Sequence, residues 1–224
     1  MKNLKEKIVV FFDPGHGIQT ELKQKFSPLL GNMDVPVEYC SNGRFREGRF
    51  NRCIALELID TMKAYGIDAR ITVPEEKTDV ALSTRVARVN KICNEVGAAN
   101  VIMVSIHANA NGYGTEWNAA NGWEIYTTPG KTNSDVLATF IYNRAVKNFP
   151  GRKMRQDWSD GDPDKEAKFT VIAGTKCPAV LTENFFYTNQ DDLLYLSSDE
   201  GRQAIIRTHV EGILDYIEWL ENKK

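Results

Sequence analysis

The apolar positions of the chain follow two patterns, short continuous runs and stripes with helical spacing. Residues 8–12 are five apolar residues in a row and residues 100–106 have a similar character, which is typical of strands buried on both faces. Further strands are predicted at residues 67–73, 123–127, 169–173 and 178–182. Because strands alternate with helical stripes, the sequence predicts an α/β fold with a mixed or mostly parallel sheet flanked by helices.

Helical spacing recurs in four segments. The first helix, residues 49–65, is closed by Gly66, and Ser83 is expected to cap the second, whose apolar face extends to Val96. A third helix is predicted at residues 134–148, and a Ser-Ser-Asp-Glu run resembling a capping box opens a long final helix. Three segments without either pattern are predicted to be loops: residues 18–46, 108–122 and 150–168. Long loops inside compact domains are usually functional.

Length and composition bound the architecture and the partners. A chain of 224 residues with 42% hydrophobic and 26% charged side chains suits one globular domain, so we predict a single domain over residues 1–224. The formal net charge of −2 provides no basic footprint for nucleic acid or an anionic membrane, and neither is expected as a partner. The four cysteines include no Cys-x-x-Cys pair, which argues against a sulfur-ligated zinc and against a disulfide scaffold.

The N-terminal segment gives no sign of an export signal. It is charged and polar, and the apolar run after it spans five residues, too short for the core of a signal peptide or for a membrane span. The sequence therefore predicts no signal peptide in this chain. A protein made without a secretion signal and a chain trimmed from a longer precursor both fit this pattern.

Polar residues stand at the C-terminal ends of three predicted strands. His16 follows the first strand between two glycines, His107 follows residues 100–106, and Glu183 ends residues 178–182. In open α/β sheets ligands bind in the crevice outside these strand ends. Glu47 precedes the first helix and is well placed to face the same crevice. These four side chains are the candidate functional residues.

Two histidines and a glutamate are the donor set of many catalytic zinc sites, which leave a fourth position open for water. In this interpretation His16, Glu47 and His107 bind the zinc ion, and Glu183 is the general acid/base. The residues alone leave alternatives: a strand-end histidine is commonly a hydrogen-bonding residue, Glu47 suits the first turn of a helix, and Glu183 suits a loop ion pair. Three other carboxylates remain rival ligands on spacing alone: Asp13, Glu38 and Asp68.

The remaining histidine and the tryptophans have ordinary explanations. His209 lies beside the apolar stripe of the final helix and is assigned to packing. Aromatic rings can stack on sugars, but core or loop packing explains tryptophans equally well. The residues in question are Trp117, Trp123 and Trp158.

Five motifs, in order along the chain, resemble those of the zinc-dependent N-acetylmuramoyl-L-alanine amidases that cleave bacterial peptidoglycan. They are residues 13–17 (DPGHG), Glu47 with Asn51 and residues 54–58 (IALEL), residues 82–85 (LSTR) with Asn90, residues 105–109 (SIHAN), and residues 178–183 (PAVLTE) with Phe186, Thr188 and Asn189. The resemblance extends from about Ile8 to Trp219. Two positions depart from the family pattern: Ile18, where a second glycine is common, and Phe185, where a small residue is usual. Both are expected to reshape the substrate groove.

The resemblance implies a twisted, roughly six-stranded sheet of the phosphorylase/hydrolase type and one zinc ion per chain held by His16, Glu47 and His107. It favours Glu47 over Glu38 as the carboxylate ligand and makes Glu183 the catalytic residue. The implied reaction is hydrolysis of the amide between the lactyl group of N-acetylmuramic acid and the L-alanine of the stem peptide. Peptidoglycan is then the partner, in cell-wall lysis or remodelling.

Two other functions remain as alternatives. One is a non-catalytic peptidoglycan-recognition module, and the other is a zinc carboxypeptidase or amidohydrolase that acts on a different amide. For an amidase, both a phage-type endolysin made in the cytoplasm and a trimmed secreted enzyme fit the sequence. An activator or a holin-type release partner is left open.

Overall fold

The two apolar runs of the sequence form the centre of a six-stranded sheet in the computed structural model, which describes residues 7–17, 25–76 and 79–223. The strands are β1 (Val9–Pro14), β2 (Cys40–Ser41), β3 (Arg44–Phe45), β4 (Asp68–Ile71), β5 (Val101–Asn109), β6 (Glu124–Thr127), β7 (Lys165–Glu166) and β8 (Ala179–Phe186). The sheet order is β4-β1-β5-β8-β6-β7, and β2 and β3 form a separate hairpin. Only the β6–β8 pair of this sheet is antiparallel, so the predicted mixed, mostly parallel sheet is confirmed.

Helices cover both faces of the sheet. They are α1 (Glu47–Ala64), α2 (Leu82–Val96), α3 (Asn133–Asn148), α4 (Thr170–Gly174), α5 (Gln190–Ser197) and α6 (Asp199–Asn222). Successive side chains of β1 point to opposite faces. Val10 and Phe12 belong to the core that α1, α3 and α6 line, whereas Val9 and Phe11 belong to the core that α2 and α4 line. Within the described residues, no helix has both the length and the apolar character that a membrane span requires.

Three local predictions were wrong. Residues 169–173 were expected to form a strand, but most of them lie in α4, because a short apolar run does not distinguish a buried strand from a buried helical turn. Ser83 does not cap α2, whose N-cap is Ala81, and Val96 at its end is 40% exposed. Ser198 does cap α6, but its side chain accepts from Gly201, so the reciprocal capping box is absent there.

Two strands extend further than their apolar runs. β5 continues to Asn109 and β8 to Phe186, so His107 and Glu183 lie within paired strands rather than in the loops after them. The two residues are direct partners in the register of the parallel β5–β8 pair. The sheet therefore fixes the backbones of both candidate residues next to each other.

A buried ion pair ties β1 to α2. Asp13 is 1% exposed, and its carboxylate accepts hydrogen bonds from Thr72, Ser105 (2.9 Å) and Arg85 (3.2 Å). Arg85 is 2% exposed and also donates to the backbone carbonyls of Pro14 (2.7 Å) and Val80 (3.0 Å). Arg85 thus holds the end of β1, from which His16 follows.

Arg85→Leu is expected to lower the free energy of unfolding by about 3–5 kcal/mol, because it leaves the buried Asp13 carboxylate without its countercharge. Urea denaturation measures the loss. The matched control is Arg70→Leu, which breaks an exposed ion pair with Asp68 and is expected to cost less than about 1 kcal/mol. Equal losses in the two variants would show that the buried ion pair stabilises the fold no more than the exposed ion pair does.

Candidate metal centre

His16 is presented by a tight turn directly after β1. Gly15 donates its N–H to the carbonyl of Ile106 (2.9 Å), and its own carbonyl accepts from the Asn51 side chain (3.0 Å). His16 itself adopts a φ of +61°, a left-handed conformation that is uncommon for residues with a side chain. The turn is thus held from β5 and from α1, and it directs the imidazole towards the start of α1.

Glu47 is the first residue of α1 and is buried, with 2% of its surface exposed. Its backbone N–H donates to the carbonyl of Lys25 (3.2 Å). Asn51, one turn further along the helix, donates to Glu47 Oε1 (3.3 Å) as well as to Gly15. One amide therefore connects the carboxylate of Glu47 to the turn that carries His16.

The two histidines converge on one oxygen of Glu47. His107 Nδ1 lies 3.0 Å and His16 Nε2 lies 3.4 Å from Glu47 Oε1. The two imidazole centroids are 5.0 Å apart, with their planes at 89°. One potential ligand atom from each of the three residues lies within 4.8 Å of the others. The structure thus brings together three residues that come from three separate elements.

The environment sets the charge of each of these groups. Burial lowers the pKa of His16 to about 4, so its imidazole is neutral at neutral pH. Burial opposes ionisation of Glu47, but His16 and His107 outweigh it and lower the pKa of Glu47 to about 2. Burial likewise opposes protonation of His107, yet its hydrogen bond with Glu47 and the nearby carboxylates raise its pKa. A metal ion that binds these donors therefore has to displace the proton that His107 holds.

The donor set fits zinc. Two imidazole nitrogens and one carboxylate are ligands that catalytic zinc takes in other proteins, with a further position left for water or substrate. Glu47 is buried and ionised, so its negative charge compensates the charge of a cation bound beside it. His16 and His107 are 25% and 14% exposed at the side chain, so the donors remain open to the solvent on one side.

Glu183 lies beside this trio on β8. Burial raises its pKa to about 8, although the charge of His107 opposes the shift. Its Oε2 atom is enclosed and has no hydrogen-bond partner in the described part of the chain. A half-buried carboxylate with an enclosed oxygen that no donor reaches, next to a set of metal ligands, is typical of a group that accepts and donates protons during a reaction.

Two cavities meet at these side chains. One, of about 670 Å³, is bordered by apolar residues of α2, α4 and β8 and by Lys168. The other, of about 400 Å³, is bordered by the loop after β5, including Tyr113, and by Tyr187. His16, His107 and Glu183 border both cavities. Both cavities therefore open onto the same three side chains.

Comparison with known proteins identifies the family. The family model described as N-acetylmuramoyl-L-alanine amidase matches residues 10–215. The chain belongs to the N-acetylmuramoyl-L-alanine amidase family. This finding confirms the resemblance seen in the sequence, and zinc dependence is a general property of this family of enzymes.

Relatives named as N-acetylmuramoyl-L-alanine amidases match most of this chain. It is 31% identical over 202 residues to the amidase LytC of Bacillus subtilis, which covers 88% of this chain but 34% of LytC. It is 33% identical over 255 residues to the amidase AmiA of Escherichia coli, covering 97% of this chain and 79% of AmiA. The solved structure of the amidase AmiC2 of Nostoc punctiforme matches with a TM-score of 0.70 and 25% identity, covering 95% of this chain and 98% of that one. The predicted fold class is thereby confirmed.

The three rival ligands are not part of the trio formed by His16, Glu47 and His107. Asp13 borders the larger cavity, but its carboxylate is engaged in the buried network with Arg85, and Asp68 is exposed and paired with Arg70. Glu38 is exposed in a 3-10 turn (Val37–Tyr39). His209 is fully buried in α6, where its ring bonds to the Thr182 hydroxyl (2.9 Å) and the Ile205 carbonyl (2.7 Å), as expected for a packing residue.

The two departures from the amidase pattern have different outcomes. Ile18 lies outside the described residues. Phe185 adopts a φ of +67° and is fully buried, with edge-to-face contacts to Phe149 (5.0 Å) and Tyr195 (5.1 Å). It borders neither of the two cavities described above, so the expectation that it reshapes the groove was wrong. Burial in the aromatic cluster offsets the strain of about 1–3 kcal/mol that a left-handed side-chain residue carries.

Two residues near the candidate metal centre carried no sequence signal. Tyr187 follows β8, and burial next to Glu47 raises the pKa of its hydroxyl. Glu124 on β6 is the register partner of Glu183, is 2% exposed, and accepts from Arg155 (2.8 Å) and Lys165 (2.6 Å). The positions of both residues depend on packing between distant elements, which no local sequence pattern specifies.

Gly15→Ala is expected to lower the zinc affinity about 10–100-fold, the range for changes in groups that orient metal ligands. The added Cβ would lie 2.1 Å from Cε1 of His107, so the imidazole has to move. Competition with a chromophoric chelator measures the affinity. Gly66→Ala is the matched control, since it strains a positive φ in open space. If both variants bind zinc like the unchanged chain, the close approach of Gly15 to His107 is irrelevant to the metal.

Proposed function

We propose that this chain is a zinc amidase in which His16, Glu47 and His107 hold one zinc ion and Glu183 is the catalytic acid/base. The observation that carries the proposal is the convergence of three donor atoms within 4.8 Å beside the enclosed, unpartnered carboxylate of Glu183. We further propose that residues 1–224 form one catalytic domain. The chain spans 34% of the length of LytC.

When bound, zinc supplies a Lewis acid that polarises a carbonyl and lowers the pKa of water. Glu183 takes a proton from the attacking water as the water oxygen bonds to the carbonyl carbon. The same carboxyl then gives that proton to the nitrogen as the carbon–nitrogen bond breaks. Burial raises the pKa of this carboxyl, which favours its holding the proton between the two steps.

The proposed substrate is peptidoglycan, cut between the lactyl carbonyl of N-acetylmuramic acid and L-alanine. Such a substrate has two large arms, a glycan and a peptide, that meet at the scissile amide. The two cavities that meet at His16, His107 and Glu183 accommodate this shape. The larger cavity has apolar residues beside the cations Lys25 and Lys168 and the carboxylates Asp13 and Asp79. This mixed lining suits a peptide with small side chains and charged groups, so we place the stem peptide there.

The test is mass spectrometry of purified peptidoglycan after digestion by the protein. Free stem peptides that begin with L-alanine are expected. Products cut within the peptide would replace the proposed bond by that of a zinc carboxypeptidase or another amidohydrolase. A protein that binds peptidoglycan and releases nothing would be a recognition module, for which the Glu183 carboxylate has no use. The reaction places the protein at the cell wall, as an endolysin or as a remodelling enzyme.

A further inference from the structure

A second cluster of acidic side chains lies away from the candidate metal centre, where β6, β7 and α3 meet. It consists of Asp135 in the first turn of α3, and Asp162 and Asp164 just before β7. One potential ligand oxygen from each residue lies within 4.8 Å of the others. Asp135 and Asp164 are 7% and 2% exposed, so the cluster is not a solvated acidic surface.

The carboxylates of the cluster are only partly satisfied. Asp164 Oδ2 accepts from the Thr127 hydroxyl (2.6 Å), and Asp135 Oδ2 accepts from the backbone N–H of Thr132. The Oδ1 atoms of Asp162 and Asp164 are enclosed, and in the described part of the chain no N–H or O–H group donates to either of them. The two carboxyl groups contact each other. No Lys or Arg among the described residues is in ion-pair contact with any of the three. Enclosed carboxylate oxygens without partners are costly unless a cation or a proton compensates them.

We propose that Asp135, Asp162 and Asp164 form a calcium site. Carboxylate and hydroxyl oxygens are the ligands of hard cations, and the cluster offers neither the imidazole nor the thiolate that zinc prefers. Calcium suits it better than magnesium, since calcium accepts six to eight oxygen ligands in irregular arrangements that loop residues supply. The Thr127 hydroxyl is a further oxygen at the site.

A shared proton is the competing explanation. Burial and the neighbouring Asp162 raise the pKa of Asp164 to about 8, so Asp164 is readily protonated when no cation is bound. A calcium ion then displaces this proton. The two explanations differ in one measurable respect, because only a cation site gives saturable binding.

The calcium ion would fasten the segment between α3 and α4. Arg155 and Lys165 lie in this segment, and both bond to Glu124, the register partner of Glu183. Asp162 and Asp164 thus connect this segment to Thr127 at the end of β6 and to Asp135 at the start of α3. We therefore expect calcium to change thermal stability, and to leave the zinc content as it was.

Calorimetric titration of the zinc-loaded, full chain with calcium chloride tests the site. We expect binding of one calcium ion per chain, and a melting temperature raised by roughly 5–10 °C at a calcium concentration about 100 times Kd. Asp164→Asn and the half-buried Asp162→Asn should each abolish both effects. Asp60→Asn, which removes the same charge from an exposed position of α1, should preserve them.

Three results would overturn the proposal. The first is the absence of binding and of a melting shift up to about 10 mM calcium, above the Kd range of extracellular calcium modules. The second is equal binding by Asp162→Asn, Asp164→Asn and the unchanged chain. The third is a magnesium titration that matches the calcium titration, which would contradict the choice of ion.

Discussion

Glu183→Gln is expected to lower kcat by at least about 10²–10⁴-fold, the usual contribution of general acid–base catalysis, while the variant still binds one zinc ion per chain. Glutamine keeps the size of the side chain but can neither accept nor return the proton. The structural cost is small, because Glu183 Oε2 has no hydrogen-bond partner to lose among the described residues. Release of soluble muropeptides measures the rate, and elemental analysis measures the zinc.

The matched control is Glu38→Gln, the same chemical change at an exposed carboxylate outside the site. Its rate and zinc content should equal those of the unchanged chain. Turnover by Glu183→Gln at the rate of the unchanged chain would remove Glu183 from the mechanism. A parallel loss of zinc and activity would instead make Glu183 a metal ligand.

His107→Ala is expected to lose the zinc ion and, with it, all measurable hydrolysis. The variant removes one of three proposed donors and leaves the buried carboxylate of Glu47 without its 3.0 Å partner. The fall in zinc affinity should exceed the roughly 10–100-fold typical of changes to groups that merely orient a ligand. Elemental analysis after gel filtration measures the zinc that remains bound.

His209→Gln is the control for this variant. His209 is also a buried histidine, but it bonds to Thr182 and Ile205 within α6 and β8. Its replacement should cost stability and leave one zinc ion per chain. If His107→Ala retains zinc after gel filtration, the ligand set proposed above is wrong.

Much of the site was predictable because it stands at strand ends. The buried runs before His16 and His107 specify parallel neighbours, and parallel strands bring their C-terminal ends to one edge of the sheet. The position of Glu183 follows from the same rule, and the register of the parallel β5–β8 pair places it directly beside His107. The position of Glu47 does not follow from this rule. Spacing alone left Glu38 as a rival ligand, and the family resemblance was needed to choose between the two.

The remaining features depend on contacts between distant segments. The sequence from Phe169 to Ala173 is equally compatible with a strand and with a helical turn, and packing against α2 and β8 favours the helix. Glu124 is a carboxylate in a short strand, and its burial depends on two cations, Arg155 and Lys165, which lie 31 and 41 residues further along the chain. The cluster of Asp135, Asp162 and Asp164 arises likewise, because β7 returns beside β6 and next to the start of α3.

The most direct test of the metal centre is a chelation and reconstitution experiment on the full chain, with zinc content and peptidoglycan hydrolysis measured on the same samples. We predict one zinc ion per chain as purified, no hydrolysis after the zinc has been removed, and activity that returns in proportion to the zinc bound, up to one equivalent. The His107→Ala variant should not regain activity. Full hydrolysis by a zinc-free chain would contradict the central claim that His16, Glu47 and His107 hold the catalytic metal.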